Sequence, residues 1–198
     1  FQQVPFRRAT ESRPATAALI VGTERKGLRV GEEIAIPPSL TERERKLETA
    51  LVFAGYGLSD ARVGIDDYRG LDVRGKTVVV LDGTPSGLPS DVAARLFNSK
   101  EDEAAARGAV GFILVGRQGP LDDFNRTAVD WVDAAGQAGT SPRGLRFNLR
   151  ITDAVAEKLF ARSRTSLDQV RARAAKGDKA IGFAMPASWT SLLVLLYV

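Results

Sequence analysis

The chain has 198 residues, hydrophobic residues at 44%, charged residues at 26%, a formal net charge of +4, and neither Cys nor His. Without Cys there is no disulfide, thiol nucleophile or thiolate zinc site, and without His there is no Ser-His-Asp or Cys-His catalysis and no imidazole-ligated zinc. Length and apolar content suit one globular domain with a real core. Hydrolytic chemistry would have to run on carboxylates, Lys, Tyr or a hydroxyl.

The first third predicts short strands broken by Gly and Pro. Residues 15–21 (ATAALIV) form an apolar strand ending at Gly22, and residues 28–30 and 33–36 are two short pieces around Gly31. Residues 41–48 (TERERKLE) are polar enough to be fully solvated, as one or two helical turns or a loop. Residues 50–54 (ALVFA) read as a buried strand closed by Gly55-Tyr56-Gly57, and 59–75, rich in Asp and Gly, as an ordered loop. Residues 77–81 (TVVVL) are the clearest strand, apolar enough to be covered on both faces.

A helix is expected over 99–107, with Ser99 as its N-cap, Asp102 three residues on and Gly108 as its stop. Residues 110–115 (VGFILV) follow as a buried strand, which makes a βαβ element with 77–81. Residues 116–144 read as a long loop and 145–151 as an alternating strand. Thr152 caps a helix through Ala161, and Thr165 to Asp168 form a capping box for a second helix ending at Gly177. Residues 181–185 and 192–198 are two last strands around Pro186.

Several motifs carry a possible chemistry. Gly70 to Thr77 matches the phosphate-binding pattern G-x-x-x-x-G-K-[ST], but that site needs a strand before the loop and a helix after it. Here a strand follows Lys76 at once, so a structural turn is the better reading. Gly55-Tyr56-Gly57 would need a third Gly at the position of Asp60 to be a dinucleotide fingerprint. Asp82-Gly83-Thr84 lacks a phosphoaspartate nucleophile because Val80 stands in its place. Asp122, Asp123, Asp130 and Asp133 lack the spacing of a calcium loop and read as a solvated segment. Residues 143–179 carry a net +6 while the rest of the chain sums to −2. That basic stretch has only Phe147 and Phe160 as aromatics, too few for a base-stacking surface. No residue set makes a catalytic centre.

The chain begins at Phe1 without a signal-like segment, as a mature product or an excised fragment would. Its longest apolar run, 192–198, is far short of the roughly 20 residues of a membrane helix.

One stretch is more specific. The run ALVFAGYG at 50–57, then Asp66-Asp67-Tyr68 with Gly70, Leu71, Asp72, Val73, Gly75 and Lys76, then Lys100 with Gly108-Ala109 and Gly111, closely resembles the protease-associated (PA) domain inserted in secreted zinc aminopeptidases. Larger relatives of those enzymes include glutamate carboxypeptidases and transferrin receptors. The resemblance implies an α/β fold of the swivelling β/β/α kind, a mixed sheet or partial barrel flanked by a few helices. It implies a lead-in strand over 1–14, a PA domain over 15–187 with its motif core at 50–116, and a return strand over 188–198. It also implies structural roles for Gly55, Tyr56, Gly57, Asp66, Asp67, Tyr68, Gly70, Leu71, Asp72, Gly75, Lys76, Gly108, Ala109 and Gly111. Tyr68 and Leu71 would pack under the loop, and the 108–111 segment would let a helix end close onto a strand.

No catalytic, cofactor or metal residue is implied on this chain. The two zinc ions of such an enzyme would sit in its peptidase domain. The expected partners are that domain and peptide substrates, with no nucleic acid and no membrane, in an extracellular or periplasmic setting. Residues 189–198 (WTSLLVLLYV) depart from the family's polar-alternating return strand. An unpaired strand with a sticky apolar edge is expected there.

Overall fold

The structure is a computed structural model that describes residues 5–36, 38, 44–117, 121, 127–131, 144–178 and 181–197. Eleven strands and three helices are seen among the described residues. They run β1 (Phe6–Val21), β2 (Glu24–Leu28), β3 (Ile34–Ala35), β4 (Glu44–Phe53), β5 (Ser59–Asp60), β6 (Ile65–Asp66) and β7 (Thr77–Leu81). Then come α1 (Ser90–Ala106), β8 (Gly111–Arg117), β9 (Thr127–Trp131), β10 (Phe147–Thr152), α2 (Asp153–Phe160), α3 (Leu167–Ala175) and β11 (Phe183–Tyr197).

The main sheet has the order β2-β1-β11-β4-β7-β8-β10-β3, with β9 on β1 beside β2. Strands β4, β7, β8 and β10 run parallel to one another; β11 is antiparallel to both β1 and β4. The fold is mixed α/β. Its two sheet ends, β2 and β3, are joined by only residues 29–33, so the sheet curls until those ends nearly meet. The core reports the same curvature. Leu28 of β2, Trp189 of β11, Phe53 of β4, Ile113 of β8 and Ile34 of β3 share one hydrophobic cluster.

Alternation along β7 explains how the layers form. Val79 and Leu81 enter that large cluster, which Leu159 and Phe160 of α2 and Val170 of α3 complete. Val78 and Val80 point the other way, into a smaller cluster with Tyr68, Val73 and Ala104. All five residues of β7 are buried, as an apolar run covered on both faces must be. The parallel βαβ element of β7, α1 and β8 is present.

Five expectations are corrected. Residues 44–48 are the first half of β4, paired to β11; Leu47 points into the core while Glu44, Lys46 and Glu48 face solvent, so their charges are compatible with a strand. Residues 41–43 lie outside the described residues. Helix α1 starts nine residues before Ser99, whose hydroxyl donates to the Leu96 carbonyl oxygen at 3.0 Å inside the helix. The 116–144 segment contains β9. The capping box of α3 belongs to Ser166 and Gln169: the Ser166 hydroxyl accepts from the Gln169 N–H at 3.3 Å, and the Gln169 side chain accepts from the Ser166 N–H at 3.0 Å. Finally, β11 is one strand with partners on both sides, not an open apolar edge. Pro186 falls in a register shift between Ala184 and Ser188, where the ladder asks no N–H of it.

Strand β1 runs through the 14/15 position, and residues 1–4 lie outside the described part. Among the described residues no helix is long and apolar enough to cross a membrane.

Candidate functional site

The residues singled out by the motif form two groups at opposite ends of β7. The first lies where β4 and β7 end, the end of a parallel sheet at which loops gather. Gly55 and Gly57 both have positive φ (54° and 71°), a conformation that glycine adopts without strain. At Gly57 a Cβ would stand 2.5 Å from Val80 Cγ1. The chain therefore crosses β7 with the Gly57 backbone pressed against the Val80 side chain. The Asp67 carboxylate accepts the Tyr56 and Leu58 N–H groups, each at 3.1 Å, and so pins this turn. Burial raises the Asp67 pKa and the Tyr56 pKa. Asp66 accepts from the Tyr68 N–H at 3.3 Å and faces Arg69.

Tyr68 is buried with its hydroxyl unpartnered, and the Arg107 guanidinium lies 4.4 Å from its ring centroid. Burial raises its pKa above the usual phenol range. Leu71 packs against the same small cluster as Tyr68.

The second group lies where β7 and β8 begin. The Lys76 ammonium donates to the Asp72 carboxylate at 2.8 Å and to the Asp72 carbonyl oxygen at 2.9 Å, and Lys76 first of all holds the Asp72 pKa down. The Gly75 N–H donates to the Gly108 carbonyl oxygen at 2.8 Å. Gly70, Gly75 and Gly108 have positive φ. Ala109 is buried, and a Cβ on Gly111 would collide with the Thr77 hydroxyl. That close approach is between neighbouring strands. The Gly70 to Thr77 segment thus ends in a strand, its Lys turned back on its own loop, and lacks the geometry of a phosphate cradle.

Two buried roles were not read from the sequence. Lys100 is 3% exposed, and its ammonium donates to the carbonyl oxygens of Leu81 at 2.8 Å and Gly83 at 2.6 Å. Burial pulls its pKa down to about 8. Its signal was spacing: Leu96, Lys100 and Ala104, four residues apart, form the buried stripe of α1. Buried Asp60 is the other. Arg62 holds it at 2.8 Å, Arg95 of α1 also bonds it, and these hydrogen bonds push its pKa well below the carboxylate range.

A cavity of about 160 Å³ opens beside the first group, lined by Tyr56, Asp66, Asp67, Pro85, Ala174 and Ile181. Among the described residues no group of three metal-ligating side chains exists, and the whole chain has no His. These residues do not fit a zinc pair. Of the acids at 122–133, only Asp130 lies within the described residues.

No family model matches the sequence, and no curated protein matches it. Among solved structures the chain is similar to an aminopeptidase from Aneurinibacillus sp. strain AM-1, at 19% identity and a TM-score of 0.44, over 99% of this chain and 36% of that one. It is also similar to BSAP, a zinc aminopeptidase from Bacillus subtilis, at 14% identity and a TM-score of 0.41, over 98% of this chain and 33% of that one. The chain spans about a third of the length of these structures. At these values the likeness bears on neither activity nor substrate.

Proposed function

We propose that the chain is a non-catalytic PA domain of a zinc-dependent aminopeptidase, lying beside the active site of its own peptidase domain and gating or contacting peptide substrates. The observation that carries this reading is how the motif uses its ionisable groups. Asp67 holds a backbone turn, Asp72 and Lys76 hold each other, and Lys100 holds two carbonyl groups. Groups committed in this way shape loops and leave no base paired with a nucleophile. A domain so built acts by form and contact. On this reading the zinc ligands belong to a peptidase domain, the setting is extracellular or periplasmic, and neither nucleic acid nor a membrane is a partner.

An aminopeptidase assay on this chain with added zinc tests the proposal. No turnover is expected, and turnover that survives purification overturns it. A second reading, a stand-alone PA-type interaction or sorting module, shares every feature described above. The gene sequence flanking this chain separates the two, since a peptidase domain in the same reading frame supports the first.

A further inference from the structure

The curled sheet does not quite close. On one side of the seam is β2, which pairs with β1 through one edge only; among the described residues no backbone hydrogen bond reaches its other edge. On the other side is the C-terminal end of α2. Between them lies a groove of about 220 Å³. Leu19, Val21 and Ala161 give it an apolar floor, Lys26, Lys158 and Arg162 are its cations, and Glu24 is the one carboxylate among its lining residues.

The charges are unequal in what they leave free. Lys158 faces Glu33 at 3.4 Å, and Arg162 approaches Glu24 at 4.0 Å. Both also stand at the C-terminal end of α2, where a cation offsets the helix dipole. Lys26 has no ion partner among the described residues and is exposed. It stands in the middle of β2, on the face that carries buried Leu28, so it looks along the groove.

We propose that this seam binds an extended acidic peptide segment, which adds as a strand to the free edge of β2 and sets a carboxylate against Lys26. The inference rests on the domain reading above and names the chemistry of the peptide it contacts. A free strand edge supplies main-chain partners to any extended chain, and alternate side chains, about 7 Å apart, then enter the groove. The apolar floor accepts a small hydrophobic residue on the same face as the acids, two positions from each, so the fitting pattern is Glu-x-Val-x-Glu. The cations reject a basic peptide. They also oppose a second copy of this chain, because antiparallel pairing of β2 with itself about its central residue would bring two Lys26 ammonium groups together.

The test is an NMR titration of this chain with the blocked peptide acetyl-Glu-Ser-Val-Ser-Glu-amide, which sets both acids and the valine on one face of the strand. Its lysine counterpart and a version N-methylated at alternate residues serve as controls. Binding of the acidic peptide is expected, with amide shifts concentrated in residues 24–28 and 158–162. Both controls should bind at least tenfold more weakly. Lys26→Glu should weaken the acidic peptide at least tenfold, and Lys26→Gln severalfold, with unchanged thermal melts because the side chain is at the surface. Equal binding of the lysine peptide, shifts confined to other regions, indifference to N-methylation, or self-association through β2 in place of peptide binding each overturns the inference. None of these results touches the domain reading, which is tested separately by the turnover assay and by the flanking gene sequence.

Discussion

The Lys100 ammonium lies 2.8 Å from the carbonyl oxygen of Leu81, the last residue of β7. The Gly83 carbonyl takes a second of its protons, and the rings of Phe97 and Tyr56 lie 5.0 and 5.6 Å away. A helix on the outer face of the sheet thereby ties the end of the central strand through one buried cation. Burial pulls the pKa down to about 8, while Lys in an unfolded chain titrates near 10.5. Between those values the folded state binds fewer protons than the unfolded state, so this residue makes stability rise with pH across that window. We expect the stability difference between the parent chain and Lys100→Met to move in favour of the parent by about 3 kcal/mol from pH 7 to pH 10.5. Urea melts at both pH values measure it. A difference that stays flat would mean that the carbonyl bonds fully offset the burial.

Two glycines with nearly the same positive φ separate strain from crowding. Gly70 has φ 75° and open space where a Cβ would go. Gly57 has φ 71° and Val80 at 2.5 Å. Gly70→Ala should cost only the conformational penalty, about 1–2 kcal/mol. Gly57→Ala adds overpacking against a core strand and should cost about 2–5 kcal/mol in total. Paired denaturant melts decide it, and equal costs would refute the close crossing of β7.

How much of this could be read beforehand depends on where each element found its signal. β7 was legible because an unbroken run of β-branched residues has few alternatives. Gly57 was legible as a turn; that it sits against Val80 was not, because that contact spans a loop that packs back on the sheet. The first half of α1 was hidden because its N-cap is Pro89, which has no side-chain acceptor to announce a start. The charged half of β4 was hidden because its polar residues dominate the composition, whereas Leu47 is buried while Glu44, Lys46 and Glu48 are exposed. β11 looked like two pieces because Pro186 marks a break in sequence, whereas in the sheet it occupies a bulge. Lys100 was legible as a residue of the motif within the expected helix; that it is buried in the stripe of α1 appears only in the tertiary packing.

The resemblance of Gly70 to Thr77 to a phosphate-binding loop is directly testable. The Asp72–Lys76 pair is one helical-turn spacing apart but sits in a loop, and the Asp72 side chain is 73% exposed. An exposed ion pair contributes little. Lys76→Ala is therefore expected to change stability by no more than about 1 kcal/mol. Isothermal titration with Mg-ATP should show no heat of binding for either protein. Binding by the parent chain that Lys76→Ala abolishes would reinstate the nucleotide reading.

The seam where α2 meets the sheet is held by three aromatic rings. Phe53 of β4 lies edge-on to Phe160 at 5.1 Å, and Phe183 of β11 lies 5.5 Å from Phe53 and 6.1 Å from Phe160. Phe53 and Phe160 are essentially fully buried. α2 has only eight residues, too short to be stable alone, so its position depends on this packing. Phe160→Ala should cost about 3–5 kcal/mol by cavity formation. Phe160→Leu keeps most of the volume and should cost less than half as much. Because Lys158 and Arg162 flank Phe160 on the same short segment, a loosened α2 should also raise amide exchange across residues 153–162 before the sheet unfolds. Hydrogen exchange of Phe160→Leu checks this. Exchange that rises equally in β7 would mean that α2 and the sheet open together as one unit.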